Sequence, residues 1–183
     1  MSNVILQPIE RELLRALWRC GVATKGQARE AFGIKDHRFR QLVREGYVDV
    51  YLGEFRLGEQ GREACRWDMQ MRFPYESKYR QVLHDLKLMS FYLGLSPEVR
   101  ESWKTERQLY EENQTDPLFA WLRSAVEEEG QTFAAVPDGA FYSESRQGFV
   151  AVEVITRSYT EKRVDQKRRF AELFLDGIVL VEK

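Results

Sequence analysis

The chain has little of what builds a metal or disulfide scaffold. Its two cysteines, Cys20 and Cys65, stand alone in helical patterns without metal-ligand spacing, so they are expected to pack as small apolar residues in a reducing compartment. His37 and His84 are the only histidines, which argues against a structural zinc site. No apolar run approaches transmembrane length and no segment near the start resembles a signal peptide; the expectation is a cytoplasmic protein with no membrane partner. Internal repeats and low-complexity tracts are missing as well. Charge of one sign is also lacking: the net charge is -1, which excludes a uniformly basic coat for nucleic acid.

What is present is an ordinary folded composition, 43% hydrophobic and 31% charged, over 183 residues, enough for one domain or two small ones. The charge is clustered. Lys35, Arg38, Arg40 and Arg44 fall close together, as do Lys162, Arg163, Lys167, Arg168 and Arg169, while acid collects at 127–129. Either basic run is equally read as a solvated face.

After a lead-in ending at Pro8, Ile9, Leu13, Leu14, Leu17 and Cys20 make one helical stripe that Gly21 stops. Thr24-Lys25-Gly26-Gln27 is a capping box opening a short helix to Phe32. Asp36 is placed to cap a third helix, with Phe39, Leu42 and Val43 inward and His37, Arg38, Arg40, Gln41 and Arg44 outward. Val48 to Leu52, a Gly53-Glu54 turn and Phe55 to Leu57 predict a β-hairpin, and a further helix starts at Gly58. Three helices, a hairpin and a closing helix resemble a winged helix-turn-helix domain over residues 9–67, and the phrase from Phe55 to Ala64 resembles its wing-to-helix passage. That likeness implies double-stranded DNA as partner, read by Lys35, His37, Arg38, Arg40, Gln41 and Arg44 on the third helix, with Arg56 and Tyr51 of the wing along the backbone. A winged helix used for protein contacts remains the alternative.

Residues 68–77 read as a linker, and the aromatic-rich stretch from Trp67 to Tyr79 is available for a homodimer. A helix over 78–93 follows, with Tyr79, Val82, Leu83, Leu86 and Met89 as its stripe and His84 as a surface or cap histidine. Val99 to Tyr110 reads as a strand region containing Trp103 and Glu106. Asp116-Pro117 starts a helix with Leu118, Phe119, Leu122, Ala125 and Val126 inward. Phe133 to Tyr142 and Phe149 to Ile155 read as strands around a turn cluster at 143–148, the second buried on both faces. A basic helix from Tyr159 to Phe174 turns Val164, Phe170, Leu173 and Phe174 to the sheet, and Gly177 to Val181 is a last buried strand.

Glu153 sits in the middle of that doubly buried strand, where a lone carboxylate is costly. A hairpin centred between Ser145 and Arg146 sets Asp138 opposite it, roughly 5 Å away at Cβ. Such a pair repels unless a cation lies between the two or one carboxyl is protonated. Two plainer readings stay open: Asp138 as a turn residue after Pro137, and Glu153 in an ion pair with an arginine of the neighbouring helix.

Pro137-Asp138 and Glu153 on adjacent strands before a helix resemble the PD-(D/E)XK nuclease fold, whose αβββαβ order the C-terminal elements match apart from the helix at 117–129. The likeness implies Asp138 and Glu153 as ligands of Mg or Mn, with Glu106 assisting. The family's Lys position is Ile155. Gln166 and Phe170 repeat a Gln-x-x-x-aromatic pattern of RecB-type members, and Lys162 or Lys167 is placed to supply a migrated Lys, making Asp138, Glu153 and Lys167 the candidate catalytic set. The combination is an α+β or α/β chain: a winged helix at 1–67, a linker at 68–77 and a nuclease-like domain at 78–183. Together with His84-Asp85-Leu86, Glu106 and Lys167, it resembles the replication-relaxation family. That implies a DNA-binding accessory or regulatory factor of plasmid, phage or integrative-element replication or transfer, with replication or transfer proteins as partners. The alternatives are a metal-dependent endonuclease and a protein-interaction adaptor.

Overall fold

The computed structural model describes residues 5–77, 81–127, 136–157 and 159–182. It is a mixed α+β structure with two small sheets, and the chain divides into two compact units, Met1–Gly94 and Leu95–Lys183. Among the described residues no helix is long and apolar enough to cross a membrane.

In the first unit, α1 (Pro8–Cys20) starts on Gln7, whose N–H donates to Glu10 Oε2 at 2.9 Å. Strand β1 (Ala23–Thr24) leads into α2 (Lys25–Phe32), where Thr24 and Gln27 close the expected capping box. Helix α3 (Asp36–Arg44) is capped by the backbone of Lys35, not by Asp36, which is its first helical residue and pairs with Lys25 at 3.1 Å. Strands β2 (Val48–Tyr51) and β3 (Glu54–Leu57) form the hairpin, and β1 adds to β3 in the order β1-β3-β2. Its turn is Leu52-Gly53, one residue earlier than the glycine suggested. Both have positive φ, 51° and 88°, the conformation whose twist matches paired strands. Phe39 of α3 stacks on Phe55 of β3 with centroids 4.8 Å apart, over a core that includes Leu13, Leu17, Leu42 and Val48. Val43, expected inside, is 36% exposed because the packed strip of α3 is only Phe39 and Leu42 wide.

Helix α4 (Glu59–Glu63) continues into a π-helical turn at Ala64–Asp68. The segment after it is no loose linker. Trp18 Nε1 donates to the Arg72 carbonyl at 3.1 Å, Tyr75 N–H to the Trp18 carbonyl at 2.8 Å, and Tyr75 Oη to Asp85 Oδ1 at 2.9 Å on α5 (Val82–Gly94). Ser77 Oγ donates to the other Asp85 oxygen. These bonds, and the packing of α5 on α1, place α5 in the first unit; the division therefore falls after Gly94 rather than at 68–77. His84, expected as a surface or cap histidine, is 7% exposed beside Asp85, whereas Leu83, assigned to the buried stripe, is exposed. Tyr79 lies outside the described residues.

The second unit opens with α6 (Pro97–Glu101), β4 (Lys104–Thr105) and α7 (Glu106–Asn113), where the sequence reading expected a strand region. Ser96 caps α6 ahead of Pro97, and Thr105 caps α7, so the local hydrogen bonds favour helix. Helix α8 (Pro117–Glu127) buries Phe119 and Leu122 but exposes Leu118; the Ala125 and Val126 side chains lie outside the described residues, as do 128–135. Strands β5 (Gly139–Ser143) and β6 (Gly148–Val154) pair antiparallel. Helix α9 (Glu161–Phe174) crosses to β7 (Ile178–Val181), parallel to β6, completing the order β4-β5-β6-β7. Strand β7 is half-buried rather than fully buried. The core gathers Leu109, Phe119, Leu122, Val136, Ala140 and Phe170, with Phe170 5.7 Å from Phe119 edge to face; Leu173 is exposed at the far side of α9.

Glu10 is 1% exposed and is met by the Arg38 fork, Nε to Oε1 at 2.6 Å and Nη2 to Oε2 at 2.7 Å. Burial raises the Glu10 carboxyl, but the Arg38 and Gln7 hydrogen bonds outweigh it and hold it below its ordinary value. Arg38→Ala strands that carboxylate and is expected to cost about 3 kcal/mol in urea unfolding, whereas Arg40→Ala on the same helix is expected to cost less than about 0.5 kcal/mol.

Candidate functional site

The site grows from β6, buried along nearly its whole length with Glu153 at 0% exposure. The β5–β6 register pairs Gly139 with Val152, so Asp138, one residue ahead of β5, comes opposite Glu153. The two side chains reach across to each other's strand. Asp138 N–H donates to Glu153 Oε2 at 3.0 Å, and Val154 N–H donates to Asp138 Oδ2 at 2.8 Å. Both carboxylates thus cap backbone donors where the pair of strands opens.

A cation joins them from α9. Lys167, 2% exposed, sets Nζ 3.2 Å from Glu153 Oε2 and donates to the Val136 carbonyl. Tyr159 Oη, ahead of α9, donates to Glu153 Oε1. Gln166 and Phe170, the Gln-x-x-x-aromatic pair, are both buried on the same side of α9. Ile155 is half-buried just past β6, with its N–H on the Val181 carbonyl. Glu106 is the first residue of α7 and donates its N–H to the Asp138 carbonyl at 3.2 Å.

Burial, then the Asp138 charge, push the Glu153 carboxyl up to about 7, against the opposing pull of Lys167 and the Tyr159 hydroxyl. Tyr159 is raised in turn, by burial and then by the Glu153 charge.

Divalent Mg or Mn needs several open oxygen ligands in a near-octahedral shell. Here Glu153 Oε2 already meets a backbone N–H and an ammonium, Oε1 meets a phenol, and Asp138 Oδ2 meets a backbone N–H. Among the described residues no group of three or more His, Cys, Asp or Glu is gathered to hold a metal ion. The residues present do not fit a resident divalent ion. The arrangement is a buried carboxylate pair answered by a lysine, able to lock α9 onto β6.

The second candidate face is α3. Lys35, His37, Arg40 and Arg44 are exposed on it, Arg44 beside Glu45 at 3.1 Å. Arg38 and Gln41 are drawn inward: Arg38 holds Glu10 and donates from Nη1 to Gln41 Oε1 at 2.6 Å. Arg56 of β3 lies over the Tyr51 ring, 5.3 Å from its centroid.

Tyr159 and the Arg38–Glu10 pair escaped sequence reasoning. Tyr159 follows Glu153 by six residues, a spacing that points nowhere until the chain turns between β6 and α9. Comparison of the chain with family models, curated proteins and solved structures returns no match.

Glu153 keeps its proton up to about 7 when folded and releases it near 4.5 when unfolded. Between those values the folded chain binds the extra proton, so stability falls as pH rises through the window and levels off above it. Denaturation midpoints measured across that range are expected to show the decline, and Glu153→Gln is expected to flatten it.

Proposed function

We propose that the chain is a duplex-DNA-binding accessory or regulatory factor whose first unit is a winged helix and whose second is a PD-(D/E)XK-like unit that does not cut. The observation that carries this reading is the outward face of α3, where Lys35, His37, Arg40 and Arg44 stand exposed on one short helix. A helix that presents arginines and no buried demand on them is suited to phosphates and guanine edges. Arg56 and Tyr51 on the hairpin extend the same reading to a wing. The order α6, β4, α7, α8, β5, β6, α9, β7, with β6 and β7 parallel across α9, supports a nuclease-like descent. Ile155 and the internally satisfied Glu153 support loss of cutting. The mobile-element setting, replication or transfer, rests on resemblance to the replication-relaxation family alone.

One observation favours a metal-dependent endonuclease instead: Lys167 meets Glu153, as a migrated Lys would.

Arg40→Ala with Arg44→Ala is expected to weaken duplex binding about ten-fold or more and to make the salt dependence shallower by about one to two units of log–log slope. Unchanged affinity in a titration over several salt concentrations removes α3 as the reading helix. Supercoiled plasmid incubated with Mg or Mn is expected to stay intact with both wild type and the Asp138→Ala, Glu153→Ala double variant. Nicking by wild type alone would establish the endonuclease.

A further inference from the structure

The first unit also holds an arginine-lined cleft of which the DNA reading uses only Arg56. Its volume is about 330 Å³, and Arg56 of β3, Arg62 of α4 and Arg66 of the π-helical turn all line it, with Trp18, Tyr75 and Glu76 on its other walls. Arg62 and Arg66 sit four residues apart, so like charges face one another along one strip of helix. Among the described residues none of the three arginines has a carboxylate within ion-pair distance. Guanidinium groups not engaged by a carboxylate remain open to an anion.

We propose that this cleft binds the phosphate of a small phosphate ester of mononucleotide type. The planar forks of Arg62 and Arg66 match phosphate oxygens in a way that lysine would not. Its volume lies at the lower end of the roughly 300–1,000 Å³ usual for small-ligand sites and is too small for a duplex. Tyr75 supplies ring surface for a flat body. Glu76 disfavours a bare anion, yet its carboxylate accepts sugar hydroxyls, which selects an ester over inorganic phosphate. The wall carrying Tyr75 and Glu76 is preformed. Tyr75 is tied to Trp18 and to Asp85, and Gly21 lets it approach: a Cβ there would meet Tyr75 Cδ1 at 3.0 Å and Ser77 Cβ at 2.8 Å. The cleft stands apart from α3, because it uses neither Arg40 nor Arg44.

The test is calorimetric titration of the full chain with adenosine 5′-monophosphate, with inorganic pyrophosphate and with a 20-base-pair duplex. Each is repeated on Arg62→Ala, Arg66→Ala and on Arg62→Lys, Arg66→Lys, exposed substitutions chosen to leave the core intact. The expected result is that the monophosphate binds wild type, that the alanine pair loses at least ten-fold in affinity, that the lysine pair recovers only part, and that duplex affinity holds. Loss of duplex affinity without any binding of the small probes would overturn the small ester and assign the arginines to backbone phosphates of DNA. Equal binding of both probes by wild type and the alanine pair, or no binding of either with duplex affinity unchanged, would overturn the site altogether. Retained duplex binding keeps either failure separate from that of the α3 reading.

Discussion

A carboxylate taken out of water must be met from within the fold, and both units are arranged around that demand. Among the described residues Glu10, Asp85, Asp138 and Glu153 are all buried. Each is an expensive group, by several kcal/mol if left unanswered, and each is answered by donors from a different element. Arg38 brings α3 to α1 through Glu10. Tyr75 and Ser77 bring the stretch after the π-helical turn to α5 through Asp85. Lys167 brings α9 to β6 through Glu153. Apolar contacts supply most of the burial, but they are tolerant of small slips; a fork or an ammonium on a buried carboxylate is not, and it sets register.

In the second unit that demand decides the chemistry. The same two carboxylates that would suit a divalent ion are occupied by a lysine, a phenol and two backbone N–H groups. An ion entering there would have to displace the ammonium from Glu153 and break hydrogen bonds that cap the open end of two strands. Each lost bond to a charged group costs roughly 1.5–3 kcal/mol. With these partners the pair acts as a clamp between α9 and β6.

Local rules carried the sequence reading as far as local physics reaches. The Thr24–Gln27 box and the β5–β6 register came from neighbours in the chain or from a symmetric turn. The stretch from Val99 to Tyr110 was misread as strand because its apolar residues outweighed its caps, though Ser96-Pro97 and Thr105 with Gln108 three residues later are helix starts. The pair Arg38–Glu10 was out of reach for another reason. Twenty-eight residues separate the two, and an arginine in a basic cluster has no mark that distinguishes the one turned inward. Lys167 had the same ambiguity: the resemblance to the nuclease fold offered it beside Lys162, and only the packing of α9 on β6 distinguishes the one that meets Glu153.

That sorting of cations changes what a charge count means. Net charge of -1 describes the whole chain, but a partner meets only what stays outside. Arg38 and Lys167 are committed to buried acids, and their charge reaches a partner weakened by the carboxylate beside it. Arg40 and Arg44 on α3, and Arg56, Arg62 and Arg66 around the cleft, have no buried acid to serve among the described residues. Two of the basic residues most prominent in the sequence are thus structural, whereas Arg62 and Arg66, which belong to no cluster, are placed with Arg56 on one concave surface. Capacity for an anion is set by which guanidinium groups the fold leaves on the outside and free of buried acids, and in the first unit that criterion favours the outward side of α3 and the cleft over the sequence run taken as a whole.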